Sequence, residues 1–422
     1  MKYKMFLSVI LLLSMMLYQS IAAYPSQAEE IRYPVPCYEG EELEKVRAWE
    51  KQWEAKKIDA GNIDGVKEFL PDALYDIHKN TEKWGTTWFT IVPYRFAKPT
   101  KGDIKYTLEG KCTIAEDGIL QNYVSGIPFP HPKNGLEIGY NFDNLNWGDQ
   151  MMGRQDVILV DGRRKYDRKM DITSHIMYFA GRRDIPEVPE VSYNPKGIYR
   201  GIHSYYDEPA AYKGTRTLLL KWKDRTRDWA NWSFSSSTRR IRRRSMAERQ
   251  SSTGGSDTCG DDNSGYAWAI NVQDYKILGR KEILIARHQD QEELVKGRTE
   301  GKCLDNGRQR ERINTYVVEA IHKDPDYIYN KQIWYMDPET WAIIYADKYD
   351  RDGKLWKVFD IAMYMIPSEY DGQEVQTMCM LTVIDVQRIH STNTRSEVKL
   401  GPTGEFYKPA FYEPRALMKY GY

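Results

Sequence analysis

The sequence predicts an α+β protein, one large, curved antiparallel β-sheet with a few helices packed on one face. Three observations carry that reading. From Trp84 onward the chain runs in short segments rich in Tyr, Trp, Val, Ile and Thr, punctuated by Gly, Asp, Asn and Pro. Aromatic residues make up 13% of the 422 residues, with 31 tyrosines and 12 tryptophans, and such rings fit a pleated, half-buried surface. Clear helical periodicity is confined to two stretches before residue 80.

The first 22 residues differ from the rest. Lys2 and Lys4 make a basic start, Met5 to Leu17 an apolar run, and Ser20-Ile21-Ala22 the small residues a signal peptidase reads. The run falls short of the roughly 20 residues that span a bilayer, so cleavage after Ala22 and a soluble exported chain are expected. Losing both lysines takes the formal charge from +1 to −1, which gives no global attraction to nucleic acid or to an anionic membrane.

Residues 23–60 read as an N-terminal extension with a charged amphipathic helix from Glu41 to Ile58, its apolar face built from Leu43, Val46, Trp49 and Trp53. Residues 61–422 read as a single domain. It begins with a second helical pattern, Val66, Phe69, Leu70, Leu74 and Ile77, interrupted by Pro71. Strands are expected from Trp88 to Tyr94, Val157 to Val160, Ile176 to Phe179, Thr215 to Trp222, Asp228 to Phe234, Tyr275 to Ile285 and Thr315 to Ala320. The clearest unit is a three-strand meander: Gln332 to Met336, Trp341 to Tyr349 and Lys354 to Met365. Its turns are Asp337-Pro338-Glu339-Thr340 and Asp350-Arg351-Asp352-Gly353, where Asp caps the turn and Gly accepts positive φ. The stretches from Arg182 to Glu208 and from Ser245 to Ser264 have no period and read as loops.

Several segments together resemble a known family. They are Gly126-Ile127-Pro128-Phe129-Pro130 with Asn134-Gly135, Asn141 and Gly148-Asp149; the run from Trp229 through Arg239-Arg240-Ile241-Arg242-Arg243 to Asp262; Tyr275 to Glu282; and Tyr335-Met336-Asp337-Pro338-Glu339-Thr340-Trp341 with Tyr345 to Gly353. Over about Asn62 to Tyr422 they are similar to the DUF1329 family of exported, outer-membrane lipoprotein-sorting-like proteins. The resemblance implies the half-barrel of the lipoprotein carriers, with helices on its concave face and an apolar cavity between. The chain departs from the family pattern at Cys37 and the charged helix, and again at Ser251 to Gly260.

Chemical signatures are sparse. The seven histidines are isolated, with no H-E-x-x-H and no pair at metal-ligand spacing, and G-x-S-x-G and the phosphate-binding glycine motifs are missing. No metal, no cofactor and no catalytic residue is expected, and the chain reads as a non-enzyme. Asp350 to Gly353 has a faint calcium-loop look, but Phe359 stands where the bidentate Glu belongs. Cys37, Cys112, Cys259, Cys303 and Cys379 can form two disulfides with one thiol left over, in a pairing the spacing leaves open.

Two groups of residues are candidates for binding. Arg239, Arg240, Arg242 and Arg243, with Arg244, crowd five guanidinium groups into six residues. They read either as a rim for an anion or lipid head group, or as a strand end paired with acids such as Asp257, Asp261 and Asp262. Trp222, Trp229, Trp232, Trp334, Trp341 and Trp356 lie in expected strands and as a set are candidates to line an apolar cavity; any one of them alone is better read as ordinary core packing. The expected function is a periplasmic carrier or chaperone for a hydrophobic or lipid-like molecule, in the periplasm or peripheral to the outer membrane. The resemblance implies an envelope transporter of the resistance-nodulation-division type as partner; nucleic acid is not expected. The other reading is an interaction or assembly protein that holds a partner polypeptide on the concave sheet.

Overall fold

The Tyr- and Trp-rich segments pair into one open sheet of 15 strands. The computed structural model describes residues 32–163, 165–296 and 303–419; the leader-like segment and the expected cut after Ala22 lie outside them. The short strands come first: β1 (Lys57–Ile58), β2 (Phe89–Ile91) and the small separate hairpin β3 (Thr113–Ile114) and β4 (Leu120–Gln121). One wing of the sheet follows in β5 (Gln150–Val160), β6 (Tyr166–Tyr178), β7 (Ile198–Glu208), β8 (Arg216–Trp222), β9 (Ala230–Ser235) and β10 (Arg240–Arg244). The other wing holds β11 (Gln273–Ile285), β12 (Arg308–His322), β13 (Lys331–Met336), β14 (Ile343–Tyr349), β15 (Leu355–Pro367), β16 (Glu374–Asp385) and β17 (His390–Leu400). In space the order is β1-β2-β12-β13-β14-β15-β16-β17-β5-β6-β7-β8-β9-β10, with β11 on β12. Among the described strand pairs only β2–β12 is parallel, so the sheet is mixed, with antiparallel pairing dominant.

A single helix gives a measure of the curvature. Gly135–Asp143 is capped by the Asn134 side chain and is nine residues long, roughly 13 Å. Its Phe142 ring lies 6.0 Å from that of Trp334 on β13, while its Asp143 is ion-paired with Lys221 on β8. Those strands are eight ladder steps apart, about 38 Å if the sheet were flat. One short helix reaches both because the sheet bends around it, and the helix sits on the concave face.

The convex face of β6–β9 is covered by the C-terminal segment. Met177, Leu218, Leu220, Trp222 and Ala230 bury against Tyr407, Phe411, Tyr412 and Leu417. Gly201 on β7 is needed there, because a Cβ would stand 2.5 Å from Tyr412 Cδ1. His175 and His203 lie in the same layer, His203 stacked on Phe411 at 4.2 Å and His175 bonded to the Tyr407 hydroxyl at 3.1 Å.

Several expectations need correction. The helix from Glu41 ends at Glu50, continues as a 3-10 turn to Trp53, and turns away at Ala55 with φ 58; Lys57 and Ile58 then pair with Thr90 and Phe89. The loop expected from Arg182 to Glu208 contains β7, a strand inside the sheet. None of the five cysteines forms a disulfide. The second helical pattern breaks at Pro71 into a 3-10 segment (Ile63–Phe69) and a helix (Asp72–Lys79), and Val66, Phe69, Leu70, Leu74 and Ile77 are all buried. The meander is present with its Asp-Gly turn, where Gly353 has φ 77.

Candidate functional site

Strand alternation divides the β5–β10 wing into two faces. On β8, Leu218, Leu220 and Trp222 point to the C-terminal segment, and Thr217 and Leu219 point into the concave side. The same period places Val157 on β5, Ile172, Ser174 and Ile176 on β6, Ile202, Ser204 and Tyr206 on β7, and Asn231 and Ser233 on β9 around a shared space. These side chains are mostly small or medium in size. They leave a cavity of about 590 Å³, within the range of roughly 300–1,000 Å³ typical of ligand pockets.

The cavity is mixed in character. Isoleucine, leucine and valine supply its apolar patches, and hydroxyls interleave with them; Ser174 and Ser204 satisfy each other at 2.8 Å. Asn231 Oδ1 is buried with no hydrogen-bond partner among the described residues. Trp229 forms part of the wall, its ring centre 5.1 Å from that of Trp268 and tilted 47° to it. At another part of the wall Tyr212 is 40% exposed and its ring lies 6.2 Å from that of Tyr206.

The stretch from Ser245 to Ser264, expected as a loop, covers this space together with the residues on to Trp268 and is fastened by three acids. Asp257 bonds His390 Nδ1 at 2.8 Å and accepts from the Thr392 hydroxyl. Asp261 meets Arg249 at 3.1 Å, and the Arg249 guanidinium lies 4.2 Å from the centre of the Trp268 ring. Asp262 accepts from Lys348 at 2.7 Å with both side chains fully buried. Burial pushes the Asp261 carboxyl up to about 6 against the pull of Arg249. Burial also works to raise Asp262, but Lys348 and Lys357 outweigh it and hold that carboxyl low.

The predicted tryptophans are thus dispersed. Trp229 lines the cavity. Trp334 is fully buried against Phe142, Tyr266 and Tyr275, and Trp341 stacks on Tyr316 in the same core. Trp222 and Trp232 belong to the convex-face cluster, and Trp356 donates to Asp385 beside Tyr329. The arginine run forms β10, the last strand of the sheet. Arg244 pairs with Glu248 and lines the cavity; Arg239, Arg240, Arg242 and Arg243 are exposed and have no ion-pair partner among the described residues. The acids expected to pair with them serve His390, Arg249 and Lys348 instead. Ser174, Ser204, Thr217, Leu219 and Asn231 escaped the sequence reading. The period-2 run Met170, Ile172, Ser174, Ile176 was the signal that could have found the wall. Among the described residues no cluster of His, Cys, Asp and Glu could hold a metal ion, and no helix is long and apolar enough to cross a membrane.

Comparison with known proteins agrees with the resemblance. An uncharacterized protein of Pseudomonas aeruginosa, PA3922, is 23% identical over 320 residues, covering 71% of this chain and 67% of that protein. Two solved structures each match 67% of this chain at a TM-score of 0.47. One is a DUF1329 family protein of Desulfovibrio piger, 15% identical and covered over 96% of its length. The other is a putative outer membrane lipoprotein-sorting protein domain of Vibrio parahaemolyticus, 16% identical and covered over 98%. The family model described as protein of unknown function, DUF1329, matches residues 57–418, and the chain belongs to that family.

Proposed function

We propose that the protein is a non-enzymatic carrier that holds the apolar part of an amphipathic, lipid-like molecule in the cavity of the β5–β9 wing. The observation that carries this reading is the composition of one face: neighbouring strands present mostly Ile, Leu, Val, Ser and Thr where the rest of the concave side presents mostly large rings, and about 590 Å³ stays unfilled. Apolar surface entering that space gains roughly 25 cal/mol per Å². The hydroxyls and Asn231 offer partners to a polar linkage, which suits an ester or amide better than a bare hydrocarbon. Trp229 is the tryptophan assigned to the ligand wall.

The leader-like start of the sequence supports the periplasm as the setting, and an envelope transporter of the resistance-nodulation-division type is the partner that fits the family resemblance. The alternative, a partner polypeptide held on the concave sheet, is less well supported. Helix Gly135–Asp143 and the residues from Tyr266 to Ile270 already occupy much of that face.

Thermal unfolding with added lipid tests the carrier. A ligand that binds only the folded chain stabilises it by mass action, about 2.7 kcal/mol at a hundredfold excess over Kd. Palmitate or a lysophospholipid, below its micellar concentration, is expected to raise the midpoint in a saturable way. Unchanged midpoints across fatty acids, lysophospholipids and sterols would contradict the reading.

A further inference from the structure

The β10 end of the sheet presents a charged and aromatic surface that the cavity alone does not explain. Among the described residues β10 pairs only with β9 and forms an edge of the sheet. In its register Arg242 and Arg244 stand opposite Ser233 and Asn231 on the cavity side. Arg243 lies on the other side, its guanidinium 6.0 Å from the centre of the Trp232 ring. The edge therefore carries positive charge to both faces, and Arg239 adds to it from the hairpin turn. The adjoining β7–β8 turn is tied to this hairpin by the Ser236 hydroxyl, which donates to the Lys213 carbonyl at 2.7 Å. That places Tyr212, 40% exposed and part of the cavity wall, in the turn bonded to the hairpin that carries the arginines.

We propose that this edge docks on an anionic lipid surface, with the arginines on head-group phosphates and Tyr212 at the interface, so that the cavity mouth opens where an amphipathic ligand enters and leaves. The assignment rests on the carrier reading. Charge complementarity selects the occupant: four exposed arginines have no acidic partner among the described residues, and Arg forms forked bonds to phosphate. Tyrosine is enriched at membrane–water interfaces. A lipid surface suits this arrangement better than an acidic peptide strand, because arginines on both faces of the edge address a plane perpendicular to the sheet, and because the same edge borders the cavity.

Sedimentation with vesicles tests it, using the chain without its first 22 residues. Wild type is expected to bind vesicles of phosphatidylcholine and phosphatidylglycerol (3:1) but not phosphatidylcholine alone, and to release in 0.5 M salt. The fourfold variant R239S/R240S/R242S/R243S should lose at least about tenfold in binding with an unchanged thermal midpoint, whereas the fourfold Arg→Lys variant should keep most of it. Equal binding to both vesicles, no binding to either, or a Ser variant that binds like wild type would overturn the proposal. So would capture by polyglutamate without vesicle binding, which would point to a protein partner. The Leu219→Trp chain separates the two readings: its vesicle binding is expected to persist. A wild type that binds anionic vesicles but gains no stability from any lipid would sink the carrier and leave the surface standing.

Discussion

The two wings of this sheet use their concave faces in opposite ways. Around β11–β16 that face is solid, with the fully buried Trp334 in contact with Phe142, Tyr266 and Tyr275. Around β5–β9 the equivalent face carries Val157, Ile172, Ser174, Ile202, Ser204, Thr217 and Leu219, and a cavity stays open. The lesson concerns side-chain volume. Large rings fill the interior of the curved sheet around Trp334, and space stays open where the strands present mostly smaller side chains and rings such as Tyr206 and Trp229 stand only in the wall.

That contrast is broken most severely from the packed side. Trp334→Ala is expected to cost about 3–5 kcal/mol in a urea titration, the usual range for a deleted core ring. Leu219→Ala, on a wall already open on one side, should cost clearly less, about 1–2 kcal/mol. Equal losses would mean that the β5–β9 wing is as tightly packed as the other.

Acid sharpens the comparison by distinguishing the convex layer from the cover of the cavity. Burial holds His175 and His203, under the C-terminal segment, down to about 4. The unfolded chain then takes up protons first as pH falls below about 6.5, and each histidine removes roughly 2 kcal/mol of stability by pH 5. Asp261, in the segment over the cavity, has the opposite sign: its folded carboxyl, raised to about 6, takes its proton before the unfolded one, so the fold gains from it as pH falls from 6 toward 4. Limited proteolysis at pH 5 should therefore release residues 405–419 before it cuts the segment from Arg244 to Trp268. The double change His175→Phe, His203→Phe should remove most of the difference from pH 7. Cleavage in the reverse order would contradict these assignments.

The smallest stability effect belongs to Leu219→Trp. An indole placed in empty space should change stability by less than about 1 kcal/mol while closing the cavity. A loss of several kcal/mol would show that the space is not free to be filled.

Much of the fold was legible in the sequence because local rules and tertiary structure agree there. The meander with its Asp-Gly turn, the buried face from Val66 to Ile77, and the β8 and β9 strands all follow from period and turn chemistry. β7 was hidden because Gly197, Gly201 and the polar run His203-Ser204 weaken the pattern of a strand whose one face packs under Tyr412 and the other faces the cavity. The tryptophan set could not be sorted from sequence, since alternation says that Trp222 and Leu219 face opposite ways but not which way is concave. The charged segment around Asp257, Asp261 and Asp262 was equally opaque: its partners His390, Arg249 and Lys348 include two more than 80 residues away, and only the folded sheet brings them together.

The central claim is that the β5–β9 cavity carries a lipid-like ligand, and native mass spectrometry of the purified chain tests it most directly. Wild type is expected to show a reproducible added mass of about one amphipathic molecule per chain, and the Leu219→Trp variant, equally folded, to show none. A wild type that is always empty, or a variant carrying the same load, would contradict the claim.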